Sequence, residues 1–349
     1  MHETTHWQLQ PSFRYDVLCL LNVLTNDPFY THYYPGVYEQ FSSRLPPAVG
    51  EALQHLKHEV KDTRGGIISA DLCLLFSATD SETLPQMIAD VEHPQALQHN
   101  FKTTPYYSED EWQKFESVRA DLLVIFGWLQ TIDYEAEWQA NLRPLAEQRI
   151  AELESELEGY NIVPAIEQRL GFTLPSNQIT VYPLYYAKPH GIKITGARFL
   201  TAIDYPLRIF VFTAIHEMMH PPYFPQSDPD LKKMLDGLRD DPFLKAAFDN
   251  HDPSFGYNRF EDMLEEGVVR ALDQIIGEGF GVSNPDPHTR WKQDDDGMHV
   301  FAAVLYSLLK KAPKVVPIRD FLLQLAEKGD LRSGNIQRLY NDYYAEKQD

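Results

Sequence analysis

The chain has 349 residues, enough for a sizeable core and one or two domains, and its 43% hydrophobic and 23% charged residues are ordinary for a soluble globular protein. A formal net charge of −20 without a basic stripe excludes the phosphate contacts on which a nucleic-acid binder depends. The longest apolar runs, 15–24 and 120–132, fall short of the roughly 18–20 apolar residues of a membrane-spanning helix, so they read as buried helices and no span is expected.

No charged-then-apolar leader opens the chain, which makes a cytoplasmic home the default expectation. The first residues instead read His2-Glu3-Thr4-Thr5-His6. Helical patterns follow. Pro46-Pro47 opens one helix, since proline suits a first turn. Ser108-Glu109-Asp110-Glu111 opens another, with carboxylates where the helix dipole favours them. The spacing over 138–157 predicts one long amphipathic helix. Cys19 and Cys73 sit in apolar stretches and read as small buried hydrophobes.

The texture changes near residue 176. Residues 177–186 are rich in β-formers, 187–191 form a turn signal and 192–202 read as a second strand, so a β-hairpin is expected. Asp204-Tyr205-Pro206 then starts an apolar helix ending in His216-Glu217-Met218-Met219-His220, and helical patterns resume from 228. The expected fold class is mainly α with a small β-sheet (α+β). A helical N-terminal region over 1–175 is expected to precede a domain over 176–349.

His-Glu-x-x-His thus occurs twice, and the pattern binds zinc only on a helix, where positions i and i+4 share a face. The copy at 2–6 lies at the end of the chain and carries two threonines, so it reads as a solvated tail. The copy at 216–220 closes a strongly apolar helix. A bland reading makes His216 and His220 core histidines, but it must also bury Glu217 without a partner, which is costly. A metal accounts for all three. Pro221 directly follows His220, so His220 should be the last helical residue.

Catalytic zinc usually takes three protein ligands and a water. The residues after His220, PPYFPQSD, exclude a nearby third histidine. The helical pattern over 257–272 carries Glu265 and Glu266 beside Gly267, which removes a side chain where another element can approach. With HEMMH, the Glu-Glu-Gly triplet and the upstream hairpin, residues 176–280 resemble the gluzincin group of zinc metallopeptidases, in which a second helix supplies a ligand Glu, often as Glu-Gly. The resemblance implies a zincin-like core and selects Glu266 as third ligand with His216 and His220, Glu265 being its neighbour. The sequence departs from the best-known members in placing 45 residues between His220 and Glu266.

With Zn2+ so held, Glu217 would act as general base toward the attacking water in amide hydrolysis of a peptide or protein substrate. By the same resemblance, 192–202 or 179–186 would bind extended substrate by strand addition. His299 and Tyr306, seven apart in MHVFAAVLYSLL, are candidate transition-state stabilisers, with Tyr257, Tyr185 and Tyr186 as further donors. Asp294-Asp295-Asp296-Gly297 lacks calcium-loop spacing and reads as a polar turn. A catalytically inactive zincin-fold binding or regulatory protein is the alternative, and an intact Glu217 argues against it. A di-iron bundle would need a second Glu-x-x-His on a helix, and only the tail copy exists.

Overall fold

The computed structural model describes residues 1–255 and 257–346. Over these the chain is mainly helical with one small mixed sheet, as the sequence pattern implies. Its compact units do not follow a single cut after residue 175. One comprises His6–Glu158 and Gln178–Leu207, the other Met1–Thr5, Gly159–Asn177 and the chain from Arg208 onward. The strand region returns to the N-terminal helices, while the first five residues join the C-terminal ones.

The first unit holds strands β1 (His6–Leu9), β2 (Gln178–Leu184), β3 (Ile192–Ile194) and β4 (Arg198–Ala202), in the order β1-β2-β4-β3. β1 runs parallel to β2 with His6 opposite Gln178, β2 parallel to β4 with Thr180 opposite Arg198, and β3 antiparallel to β4 with Ile192 opposite Leu200. The expected hairpin is therefore corrected. Residues 192–202 are two strands, because Gly196 turns the chain at φ +73° and Thr195 is tied to Ser77, its N–H donating to Ser77 Oγ at 3.2 Å. β2 pairs on both sides and so has no free edge, which rules out strand addition along 179–186; in 192–202 only β3 is an edge.

The helices of this unit follow burial. α1 (Phe13–Leu24) is buried at every residue and capped by Ser12. α2 (Pro47–Lys57), α3 (Ile68–Phe76) and α4 (Glu109–Thr131) bury apolar stripes around it, and Cys19 and Cys73 are free thiols in that core. The long helix expected over 138–157 is broken into α5 (Tyr134–Asn141) and α6 (Arg143–Leu157), because Pro144 has no N–H for the helical ladder. Asp16 on α1 is buried with the apolar side chains and accepts from Trp138 Nε1 at 2.7 Å and from the Tyr186 N–H at 2.9 Å.

The second unit is helical: α7 (Ile162–Leu170), α8 (Leu207–Met218, in this unit from Arg208), α9 (Pro229–Leu238), α10 (Phe260–Phe280), α11 (Pro287–Gln293), α12 (Val300–Lys311) and α13 (Ile318–Lys328). The residues expected to form a solvated tail are engaged here. The His2 N–H donates to buried Glu167 at 2.6 Å, the His2 imidazole lies 2.5 Å from the same carboxylate, and the Thr5 N–H donates to Asn161 at 2.6 Å. His6 meanwhile begins β1, an extended conformation that cannot place it one helical turn from His2. Gly267 on α10 meets α12: a Cβ there would stand 3.3 Å from the Phe301 side chain. No described helix is long and apolar enough to cross a membrane.

Burial pushes the Asp16 carboxyl up to about 6, against the hydrogen bonds from Trp138 and Tyr186. Its folded value thus lies above the unfolded one. The stability it contributes is full below about pH 4 and lost as pH rises through about 6. Unfolding free energy measured by denaturant titration should fall by about 2 kcal/mol between pH 4.5 and 7 from this group. Asp16→Asn should remove that slope, and an unchanged slope would refute the assignment.

Candidate metal centre

α8 carries His216 and Glu217 on its last turn because seven of its residues before His216 are aliphatic, aromatic or alanine and draw the helix into the core. The helix ends at Met218, two residues earlier than expected. Met219 N–H bonds His216 O at 3.1 Å and His220 N–H bonds Glu217 O at 3.4 Å, the tighter i to i+3 pattern of a closing turn. His220 therefore lies just beyond the helix, where Pro221 offers no N–H to prolong it. The tightened turn still brings the two imidazoles together, with Nε2 to Nε2 at 3.3 Å.

α10 presents Glu266 to both rings. Its Oε1 is 3.6 Å from His216 Nε2 and its Oε2 3.4 Å from His220 Nε2. Four donors held at about 2.0–2.1 Å around a tetrahedral ion stand roughly 3.3–3.4 Å apart. The three side chains thus sit near the corner spacing of such a site, and they form the one group of three or more His, Cys, Asp or Glu among the described residues that could hold a metal ion. Glu265 is not in that group. It faces the opposite nitrogen of His220, Oε1 to Nδ1 at 3.2 Å.

The outer nitrogen of His216 is also held, Nδ1 lying 2.9 Å from Asp273 Oδ2. A ring whose Nδ1 is held by a carboxylate turns its Nε2 toward the centre, where it would offer a lone pair to a metal once unprotonated, and both rings are so oriented. Asp273 is itself fixed by Arg290 through bonds of 2.6 and 3.0 Å. Arg270 Nε donates to Glu266 at 2.6 Å, and its terminal nitrogens donate to Asp294 and Asp295 at 2.8 Å each. Asp294–Gly297 is the expected polar turn, and it adds the grip on Arg270 that the sequence reading did not foresee. Asp273, Arg270 and Arg290 were all missed, although Glu266, Arg270 and Asp273 follow the i, i+4, i+7 spacing that marks one polar face on an otherwise apolar helix.

The charges follow these contacts. Burial alone would raise the Glu266 carboxyl, but His216, Arg270 and His220 hold it well below the usual range. Burial likewise works against Asp273, and the Arg290 guanidinium overrides it to keep that carboxyl low. Burial would lower His220, but its bonds to Glu265 and Glu266 and their charges push it up to about 10. Glu217 is 7% exposed, and among the described residues its carboxylate has no hydrogen-bond or ion-pair partner.

The remaining candidates separate. Tyr306 donates to Glu278 at 2.6 Å and packs on Trp291, so its hydroxyl is committed elsewhere. His299 is buried at the start of α12, its Nε2 bonded to Asp295 at 2.6 Å and its Nδ1 without a partner, so it joins the centre through Asp295 and Arg270. Tyr257 packs edge-on against His299, with ring centroids at 5.5 Å, and its phenol is held well above its usual value by burial and then by the Glu266 charge. Tyr186 is buried in the first unit beside Tyr34 and Tyr185. Comparison of the chain with protein families, curated proteins and solved structures gives no match.

One divalent ion should bind per chain, measured by competition with a chromophoric chelator. His216→Ala and Glu266→Gln should abolish binding, while Asp273→Asn and Glu265→Gln should weaken it roughly ten- to hundred-fold. Full affinity in Asp273→Asn would contradict the role given to the outer carboxylates.

Proposed function

We propose that the chain is a zinc-dependent metallopeptidase of gluzincin type, with His216, His220 and Glu266 holding zinc and Glu217 as general base. The observation that carries this reading is the pairing of a tetrahedrally spaced donor set with the carboxylate of Glu217, a largely buried residue, that no protein group engages. A purely structural metal has no use for an unpaired carboxylate one residue after its ligand His216.

Zinc, when bound, supplies a Lewis acid that polarises a carbonyl and brings the pKa of a water toward neutrality. The chain's own residues do the rest. Glu217 lies one residue after His216 and takes the proton of the attacking water, then returns it to the leaving amine. Asp273 and Glu265 hold both imidazoles with Nε2 turned toward the centre. Arg270 holds Glu266 in one orientation. Tyr257 keeps its proton across the working pH range and lies, like His299, in the field of Glu266 and Arg270; because His299 Nε2 is held by Asp295 and the Tyr306 hydroxyl by Glu278, Tyr257 takes the place given to them as the group that stabilises the oxyanion.

The test is Glu217→Gln, assayed on an unstructured peptide mixture with metal content measured on the same sample. The variant should keep its metal and its KM and lose about 10²–10⁴ in kcat, the range of a general base. Tyr257→Phe should lower kcat with metal content unchanged. Metal-loaded wild type that cleaves no peptide, or a Glu217→Gln variant as active as wild type, would overturn the reading.

A further inference from the structure

Directly beyond His220 the chain enters the wall of a cavity of about 260 Å³ that lies wholly within the second unit. Phe172, Tyr223, Phe224, Leu231 and Pro317 make its apolar lining, and Phe172 and Phe224 pack on each other in it with ring centroids 5.4 Å apart. Phe224 is 47% exposed, which is unusual for a phenylalanine and leaves an aromatic face at the mouth. The wall is built by close approach. Gly171 ends α7 at φ +83°, and a Cβ there would stand 2.5 Å from Pro317, so no other residue fits without displacing the neighbour.

The polar end of the cavity is already satisfied. Arg319 donates to Asp228 at 2.6 Å and to Asp320 at 2.9 Å, which leaves its guanidinium paired and unable to select a carboxylate. The volume is also informative. Sites for whole drug-sized ligands run from about 300 to 1,000 Å³, so this cavity suits one side chain.

Its position ties it to the metal centre. Pro222 is two residues past His220, so their Cα atoms lie at most about 7.6 Å apart, and Phe224 lies within about 15 Å. Burial and then the charge of Glu265, the partner of His220, raise the Tyr223 phenol, which places the cavity wall in the field of the centre. An extended peptide advances roughly 3.3 Å per residue. A side chain seated here therefore belongs to a residue within about four positions of a bond lying at the metal centre.

We infer that the cavity walled by Phe172, Tyr223, Phe224, Leu231 and Pro317 is a specificity pocket that takes one large apolar side chain, aromatic or branched aliphatic, of the peptide substrate. The inference rests on the metallopeptidase reading, and its test separates the two. The full chain is used, with Phe224→Ala and Ser227→Trp, both at exposed positions of the lining. One readout is binding of N-acetyl-phenylalanine amide against N-acetyl-alanine amide by saturation-transfer NMR, which needs no turnover. The other is mass-spectrometric mapping of cleavage sites in a random peptide mixture.

The phenylalanine amide should bind and the alanine amide should not, and Ser227→Trp should block that binding. Cleaved peptides should carry Phe, Tyr, Leu or Met at one fixed position within four of the cut. Phe224→Ala should lower kcat/KM for those peptides about tenfold and leave alanine-bearing peptides nearly unchanged. Cleavage without an apolar preference, a preference that survives both variants, or no binding of the phenylalanine amide overturns the pocket and leaves the peptidase reading standing. Binding that Ser227→Trp blocks, with no peptide cleaved, overturns the peptidase reading and the substrate role of the pocket with it.

Discussion

Arg270 is bonded at once to Glu266, Asp294 and Asp295, and much of the second unit is arranged around that guanidinium. Glu266 is buried at 4% exposure, and a carboxylate so placed needs a permanent cation to remain ionised. Arginine provides one that no accessible pH removes, and its planar fork fixes the direction of the carboxylate as well as its charge. Breaking such a buried pair by removing one partner costs on the order of 3–5 kcal/mol. The orientation of Glu266 toward the two imidazoles is thus inherited from a contact on its far side.

Charge balance extends this argument. Glu265, Glu266, Asp273, Asp294 and Asp295 converge on two guanidiniums, Arg270 and Arg290, and on two imidazoles. The excess is negative, and it pushes the His220 imidazole up to about 10 against the effect of burial. A divalent cation between the two Nε2 atoms and Glu266 would meet it, because it sits on three donors at once. The turn at Asp294–Gly297 holds two consecutive non-glycine residues in the left-handed region, Asp295 at φ +46° and Asp296 at φ +53°. Such backbone costs of order 1–3 kcal/mol per residue, and the bonds from Asp294 and Asp295 to Arg270 offset it.

Packing supplies the rigidity that these contacts need. α10 presents Glu265, Glu266, Arg270 and Asp273 from one continuous stretch, so their spacing is set by helix geometry. Gly267 lets the Phe301 side chain of α12 close against it, and His299 at the start of α12 returns through Asp295 to the same guanidinium. Polar groups carried on packed helices can be held within the roughly 0.5 Å that a catalytic centre requires.

Local chemistry was legible in the residues themselves. The period of apolar positions marked α1, α4, α8 and α10, Pro47 and Ser108 marked helix starts, and the class of mainly α with a small sheet followed from those elements alone. His216 and His220 were also readable as a pair, because i and i+4 on a helix is a short-range pattern, whereas Glu266 was singled out only by the resemblance to a Glu-Gly-bearing second helix. What the tertiary structure decided involves distance along the chain. Strand pairing is a long-range choice, so the parallel partnership of β2 with β4 and of β1 with β2 could not be seen in a stretch that looked like a hairpin. The same holds for the engagement of His2 by Glu167, 165 residues away. It also holds for the choice between Glu265 and Glu266, which depends on which carboxylate α10 turns toward Nε2 and which toward Nδ1. Sequence fixes the period and chemical character of a segment because those arise from neighbours within a turn. The partner each face meets is set only when folding brings remote segments together and burial makes unpaired charge too costly to leave.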